Sequence, residues 1–206
     1  MSIIKLNNNG VKNATAFGSI SSLGSMTFIK KLTASSSATL SFVDGSNGVV
    51  LDDTYKEYLF TFNNMHPETD NVNFSFQADT GTNTNYNQTI TSTYFNAYHY
   101  ESDSQTALGY ETDKDLAQST SFQMLGRRVG NDNDQQISGS LKIFNPSSSV
   151  FVKHFMATMN EAHYGDIAFN NYIAGYFNTQ TPLTRFQFKM SSGNIDAGDI
   201  CLYGIA

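Results

Sequence analysis

The chain has 206 residues, the size of one domain, and only 15% of them are charged. Its formal net charge is −6, with Lys30-Lys31 and Arg127-Arg128 as the only cationic clusters. That balance excludes a nucleic-acid partner, because neutralising phosphates takes a basic surface.

A single cysteine, Cys201, rules out an intramolecular disulfide. No apolar run approaches the roughly 20 residues of a membrane helix, and the N-terminus lacks the apolar core of a signal peptide. The expectation is a soluble protein made in a reducing cytoplasm, without membrane insertion. Phe and Tyr number 16 and 11 against 3 prolines, and Asn/Gly/Ser/Asp clusters punctuate the chain, which suits an all-β domain of short strands.

In chain order, residues 1–24 stand apart. SIIKL is followed by small polar residues with dispersed hydrophobes, too few to bury much area. We read the segment as an N-terminal arm that orders on a neighbouring subunit, anchored by Ile3, Ile4, Leu6, Val11 and Phe17; the alternative is a flexible leader. A single domain is expected over 25–206. Within it, MTFIKKL and ATLSFV read as a strand pair joined by TASSS, and Asp44 to Gly48 as a turn. Tyr55 to Phe62 alternates, with Tyr58, Phe60 and Phe62 on one side. A loop, NNMHPETDN, leads to a second alternating strand, Val72 to Gln77.

Asp79 to Thr93 is Thr/Asn/Gly/Gln-rich, part loop and part polar strand. Asn96 to Gln118 carries much of the negative charge without a period and reads as a surface excursion. A short strand is expected at 122–125 and a turn-rich loop at 127–136. The clearest hairpin is Ile137 to Phe144 with Val150 to Met159, joined at Asn145-Pro146. The runs 167–172 and 173–177 together form another short strand region. The chain ends on a closing pair, LTRFQFKM and ICLYGIA, with a reversal between them. Without a convincing helix, the pattern indicates an antiparallel β-sandwich of jelly-roll type.

No catalytic constellation is visible. His66, His99, His154 and His163 form no zinc spacing; His66 is expected to hydrogen-bond backbone in a loop, and His154 to be a packed or edge histidine. Asn131 to Asp134 resembles the start of a calcium loop, yet lacks the glycine and distant glutamate of an EF-hand. Its Asx residues are expected to satisfy their own backbone. Cys201 falls on a buried strand, where it acts as a small hydrophobe. Catalytic residues, metal and cofactors are all expected to be none. Tyr94, Tyr98, Tyr100 and Tyr110 are the candidates for glycan contact, since tyrosine rings beside Asn, Asp and Gln suit sugars.

Three pieces, FNNMHPETDNVNFSFQADTGTNTNYNQTITSTYFNAYH, LKIFNPSSSVFVKHF and FKMSSGNIDAGDICLYGI, together resemble a family of small virion proteins of tailed bacteriophages, chiefly those of marine bacteria and cyanobacteria. The similarity runs from about Ser25 to the C-terminus; the HPETDN loop, the FNPSS turn and the closing LYGI are its most specific parts. The resemblance implies a non-enzymatic structural protein, a capsid decoration or a tail or fibre component, whose partners are other virion proteins. It brings no catalytic residues. A homo-oligomer is expected, a trimer by analogy with phage appendages, and a host-glycan-binding adhesion module is the alternative.

Overall fold

The computed structural model describes residues 26–206; the arm residues Ile3, Ile4, Leu6, Val11 and Phe17 lie outside them. The described chain is all-β, with twelve strands in order: β1 Met26–Ser37, β2 Leu40–Val43, β3 Glu57–Pro67, β4 Val72–Thr80, β5 Ile90–Tyr100, β6 Thr106–Tyr110, β7 Gln123–Val129, β8 Ile137–Phe144, β9 Lys153–His163, β10 Ile167–Phe177, β11 Leu183–Met190 and β12 Ile195–Ile205. Every pairing is antiparallel. The larger layer runs β1-β12-β3-β8-β9-β10-β5-β6 and the smaller β7-β4-β11-β2. They join where Val129 of β7 pairs with His163 of β9, so a single sheet folds over its own core.

The core is phenylalanine. Phe60 and Phe62 of β3 meet Phe188 of β11, each with ring centroids 5.2 Å apart. Phe76 of β4 meets Phe155 of β9 at 5.2 Å and Phe177 of β10 at 6.0 Å. Each fully buried ring contributes roughly 1.5–3 kcal/mol, and edge-to-face pairing adds about 0.5–1.5 kcal/mol. The alternation read in Tyr55–Phe62 is correct in phase: Tyr58, Phe60 and Phe62 are buried.

Two buried polar side chains tie the loops to this core. Gln77 donates to the carbonyls of Gln88, Thr120 and Ser121 at 3.0, 3.2 and 2.9 Å. Asp79 accepts from the Tyr86 N–H at 2.8 Å and the Gln88 amide at 3.0 Å. The polar stretch after Thr80 is thereby a fixed loop up to Ile90, where β5 begins.

Several expectations are corrected. The last two strands are no hairpin: β11 pairs with β4 and β2, while β12 pairs with β1 and β3. Their linker crosses between layers, because Phe186 and Phe188 pack against Phe60 and Phe62 of β3, the neighbour of β12 in the larger layer. TASSS is the end of β1 rather than a turn, since its backbone finds a partner in β12 from Ile195 to Asp199. The strand through Phe62 continues to Pro67, so His66 lies on β3. The excursion proposed for Asn96 to Gln118 contains the end of β5 and all of β6. Arg127 to Val129 belongs to β7, and Ile167 to Phe177 is one strand.

The extension of β3 needs a local distortion. Asn64 has φ +51, and opposite it Gly198 of β12 has φ +122, where a Cβ would lie 2.6 Å from the Asn64 carbonyl oxygen. Register shifts flank both positions. Only a glycine allows the two backbones to approach this closely.

Candidate functional site

The outward face of the larger layer is apolar where solvent-facing sheet is ordinarily polar. β8 and β9 alternate as expected, with Leu141, Ile143, Phe155, Ala157 and Met159 inward. The outward residues of β9, however, include Met156, 57% exposed, beside His154 and Thr158. From β10 come Tyr172, Ala174 and Tyr176, from β5 Phe95 and Ala97, and from β6 Leu108 and Tyr110. Register sets them in rows: Tyr110 lies opposite Phe95, and Phe95 opposite Tyr172. The rings of Phe95 and Tyr172 stack at 5.0 Å with planes 11° apart. Tyr176 and His154 pair at 5.9 Å.

Small residues beside these rings leave two shallow hollows of about 460 and 360 Å³. Phe144, Met156 and Ala174 line both. Gly175 lines the larger one and lets β10 and β5 approach closely there, because a Cβ would meet the Thr91 carbonyl at 2.5 Å and the Phe155 ring at 2.8 Å. Neither lining contains Asp, Glu or Cys; the one cation is Lys142, paired with Glu57 at 3.5 Å. Such a surface offers area and ring faces, with no acid–base pair.

The four tyrosines nominated for glycan contact do not converge. Tyr94 is fully buried, so its expected contact role is overturned: its position on β5 faces the core. Tyr98 and Tyr100 share that inward face, half-buried, and the Tyr98 hydroxyl accepts from Gln105 at 2.7 Å. Tyr110 alone reaches the outer face, 52% exposed, its hydroxyl donating to Asp115. The error follows from reading Asp79 to Thr93 as partly loop and the stretch after Asn96 as irregular, which concealed the strand parity of β5 and β6.

A second cluster lies inside, between β5, β7, β9 and β10. Glu161 is buried, accepts from the Arg127 backbone N–H at 2.9 Å, and burial raises its carboxyl well above the ordinary range. The Arg127 guanidinium pairs with Glu111 at 3.1 Å and lies over the Phe169 ring. Around it, the Tyr94 hydroxyl, the Asn96 amide, the Asn171 carbonyl oxygen and one Glu161 oxygen find no hydrogen-bond partner among the described residues. Burial pushes Tyr94 up as well.

The histidines are dispersed. His66 Nε2 lies 3.3 Å from the Asp132 carbonyl oxygen, a backbone contact as expected but made from a strand. His154 is exposed on an interior strand, contrary to a packed or edge position, because it falls on the outward parity of β9. His163 is buried, accepts from the Gly165 N–H at 3.0 Å, and is held down to about 4 by burial with the cations of Arg127 and Arg128. In the Asn131–Asp134 loop, Gln135 N–H donates to the Asp132 carbonyl at 2.8 Å, and Asn131 donates to Asp70 and to the Glu68 carbonyl. The loop is thus tied to the HPETDN segment. Among the described residues no group of three or more His, Cys, Asp or Glu side chains is placed to hold a metal ion. Cys201 is buried on β12.

Comparison with known proteins finds no matching family model, no similar curated protein and no similar solved structure.

The aromatic face was missed from sequence, though a signal existed. FVKHFMATM places apolar residues on both parities of one strand, Met156 against Phe155 and Ala157, where a solvated face would be polar on one of them.

Proposed function

We propose that the chain is a non-enzymatic structural protein of a tailed-bacteriophage virion, docking on the particle surface, as capsid decoration or tail or fibre component, through the outer face of its larger layer. The observation that carries the docking role is the in-register row Tyr110, Phe95 and Tyr172 beside Met156 and Phe144. A contiguous exposed apolar patch of this kind marks an interaction surface. The virion setting rests on the sequence resemblance, and the repeated crossings between layers, at β1–β2, β2–β3, β3–β4, β4–β5, β6–β7, β7–β8, β10–β11 and β11–β12, support a jelly-roll relationship. The protein would be made in the host cytoplasm and carried in the particle, with other virion proteins as partners and the 1–24 arm as a second anchor.

The test is incorporation. Met156→Lys with Tyr172→Glu should leave the thermal melt in place and remove the protein from purified particles. Normal incorporation of that double variant would defeat docking by this face, and absence of the wild-type protein from purified particles would defeat the virion role.

A glycan-binding reading has one specific support: the stacked Phe95 and Tyr172 rings are flanked by Asn170, Thr158 and Ser140, a ring platform with hydrogen-bonding neighbours. Binding on a glycan array, lost in Tyr172→Ala and without release of reducing sugar, would favour it over assembly.

A further inference from the structure

We propose that two copies of this chain pair through β6, edge to edge and antiparallel about a twofold axis at Leu108, so that the two larger layers become one continuous sheet. The proposal deepens the assembly reading and names a second copy as the first partner, while its own test is independent of particles.

β6 is an edge: among the described residues its one neighbour is β5. Its hydrogen-bonding phase is set by its ends. Tyr100 N–H donates to the Gln105 carbonyl at 3.0 Å, and Glu111 N–H donates to the Tyr94 carbonyl at 2.9 Å. With Phe95 opposite Tyr110 and His99 opposite Thr106, residues 105, 107, 109 and 111 turn their backbone groups toward β5. Thr106, Leu108 and Tyr110 therefore present N–H and C=O to the free edge.

A row of alternating donors and acceptors in extended backbone is matched by another extended strand. A second copy of β6 supplies such a strand in matching phase: Leu108 opposite Leu108 of the second copy, and Thr106 opposite Tyr110 of the second copy. Each outward N–H then meets an outward C=O.

Charge selects this edge over the others. TALGY carries no ionised side chain, so copies meet without like charges facing within the strand. β1, the opposite edge of the same layer, carries Lys30, and Lys31 in an ion pair with Asp199, charges of the kind that discourage edge pairing. β2 is four residues long and turns Leu40 and Phe42 into the core. On β6 the apolar side chains are left outside: Leu108 is 72% exposed. Natural sheets protect edges with charge, burial or bulges, and β6 uses none of these.

The geometry has a consequence for assembly. Strands related by a twofold axis perpendicular to a sheet keep their faces on the same side. The Tyr110, Phe95 and Tyr172 rows of both copies would line one surface, meeting at the paired leucines, and present a doubled platform to the particle.

The experiment uses the full chain. Sedimentation at micromolar concentration should find a dimer for the wild type and a monomer for Leu108→Lys, with both melting alike. Leu108→Cys should form an intermolecular disulfide on mild oxidation, because a hydrogen-bonded antiparallel pair holds its Cα atoms about 5.5 Å apart, within disulfide reach. Val150→Cys, also exposed (60%) but on the β8–β9 connection, should not cross-link; Cys201 is buried. A monomeric wild type, a trimer unaffected by Leu108→Lys, self-association lost on deleting 1–24 but kept in Leu108→Lys, or equal cross-linking of both cysteine variants would each overturn the proposal. Failure of Met156→Lys with Tyr172→Glu to change incorporation would overturn the docking face and leave the dimer standing.

Discussion

The backbone N–H of Arg127 donates to the carboxyl of Glu161 at 2.9 Å across the seam between β7 and β9. Beside them Gly126 leaves the space: a Cβ there would lie 2.5 Å from the same carboxyl oxygen. The seam therefore holds an acid that burial disfavours ionising, next to a histidine that burial disfavours protonating.

The two groups give opposite pH dependences. Burial raises Glu161 well above 4.5 in the folded chain. Its contribution to stability is complete below about pH 4.5 and is lost as pH rises through the folded value, because the unfolded chain releases the proton first. His163 is lowered from 6.5 to about 4. Its contribution is complete above about pH 6.5 and is lost as pH falls toward 4. Urea unfolding across pH should show Glu161→Gln flattening the alkaline decline and His163→Gln flattening the acid one. Parallel wild-type and Glu161→Gln curves above about pH 5 would contradict the buried-acid account.

Gln77→Ala should destabilise the fold by about 1–3 kcal/mol, since the two N–H groups of its amide, shared among the carbonyls of Gln88, Thr120 and Ser121, are lost at roughly 0.5–1.5 kcal/mol per hydrogen bond. Hydrogen exchange should locate the loss in the loops before β5 and β7. A uniform loss of protection across all strands would mean that Gln77 does not act by holding those loops.

Phe188→Ala should cost about 3–5 kcal/mol, as the ring touches Phe42, Phe60, Phe62, Phe74 and Phe76. Met156→Lys, on the outer face of the same domain, should stay within about 0.5 kcal/mol. Similar denaturant midpoints for the two would reverse the assignment of inside and outside.

Gly198→Ala should destabilise by at least about 1–3 kcal/mol from its backbone conformation alone, and more from the contact with the Asn64 carbonyl. Gly109→Ala meets nothing within 4 Å and should be neutral within about 0.5 kcal/mol. A neutral Gly198→Ala would show that the paired distortion in β3 and β12 does not constrain the fold.

What the amino-acid order determined by itself was local. The alternation in Tyr55–Phe62 named the inward residues of β3, and Asn145-Pro146 between two apolar runs marked the β8–β9 hairpin, because side-chain parity and turn chemistry act over a few residues. Partner choice is non-local, and only the tertiary structure decided it. LTRFQFKM and ICLYGIA read as a closing pair joined by a chain reversal, yet each pairs with strands more than a hundred residues away: Phe186 and Phe188 pack across the core on Phe60 and Phe62 of β3, the strand that pairs with β12, so the two strands lie in opposite layers. The outer face was only partly legible for the same reason: apolar residues on both parities of FVKHFMATM marked one strand of it and not its neighbours. Phe95, Met156, Tyr172 and Leu108 come from four strands, and nothing in any one strand states that their outward sides share a surface. Tyr94 shows the converse: its hydroxyl and its aromatic neighbours in sequence suggested a contact residue, and a single step of strand parity placed it in the interior.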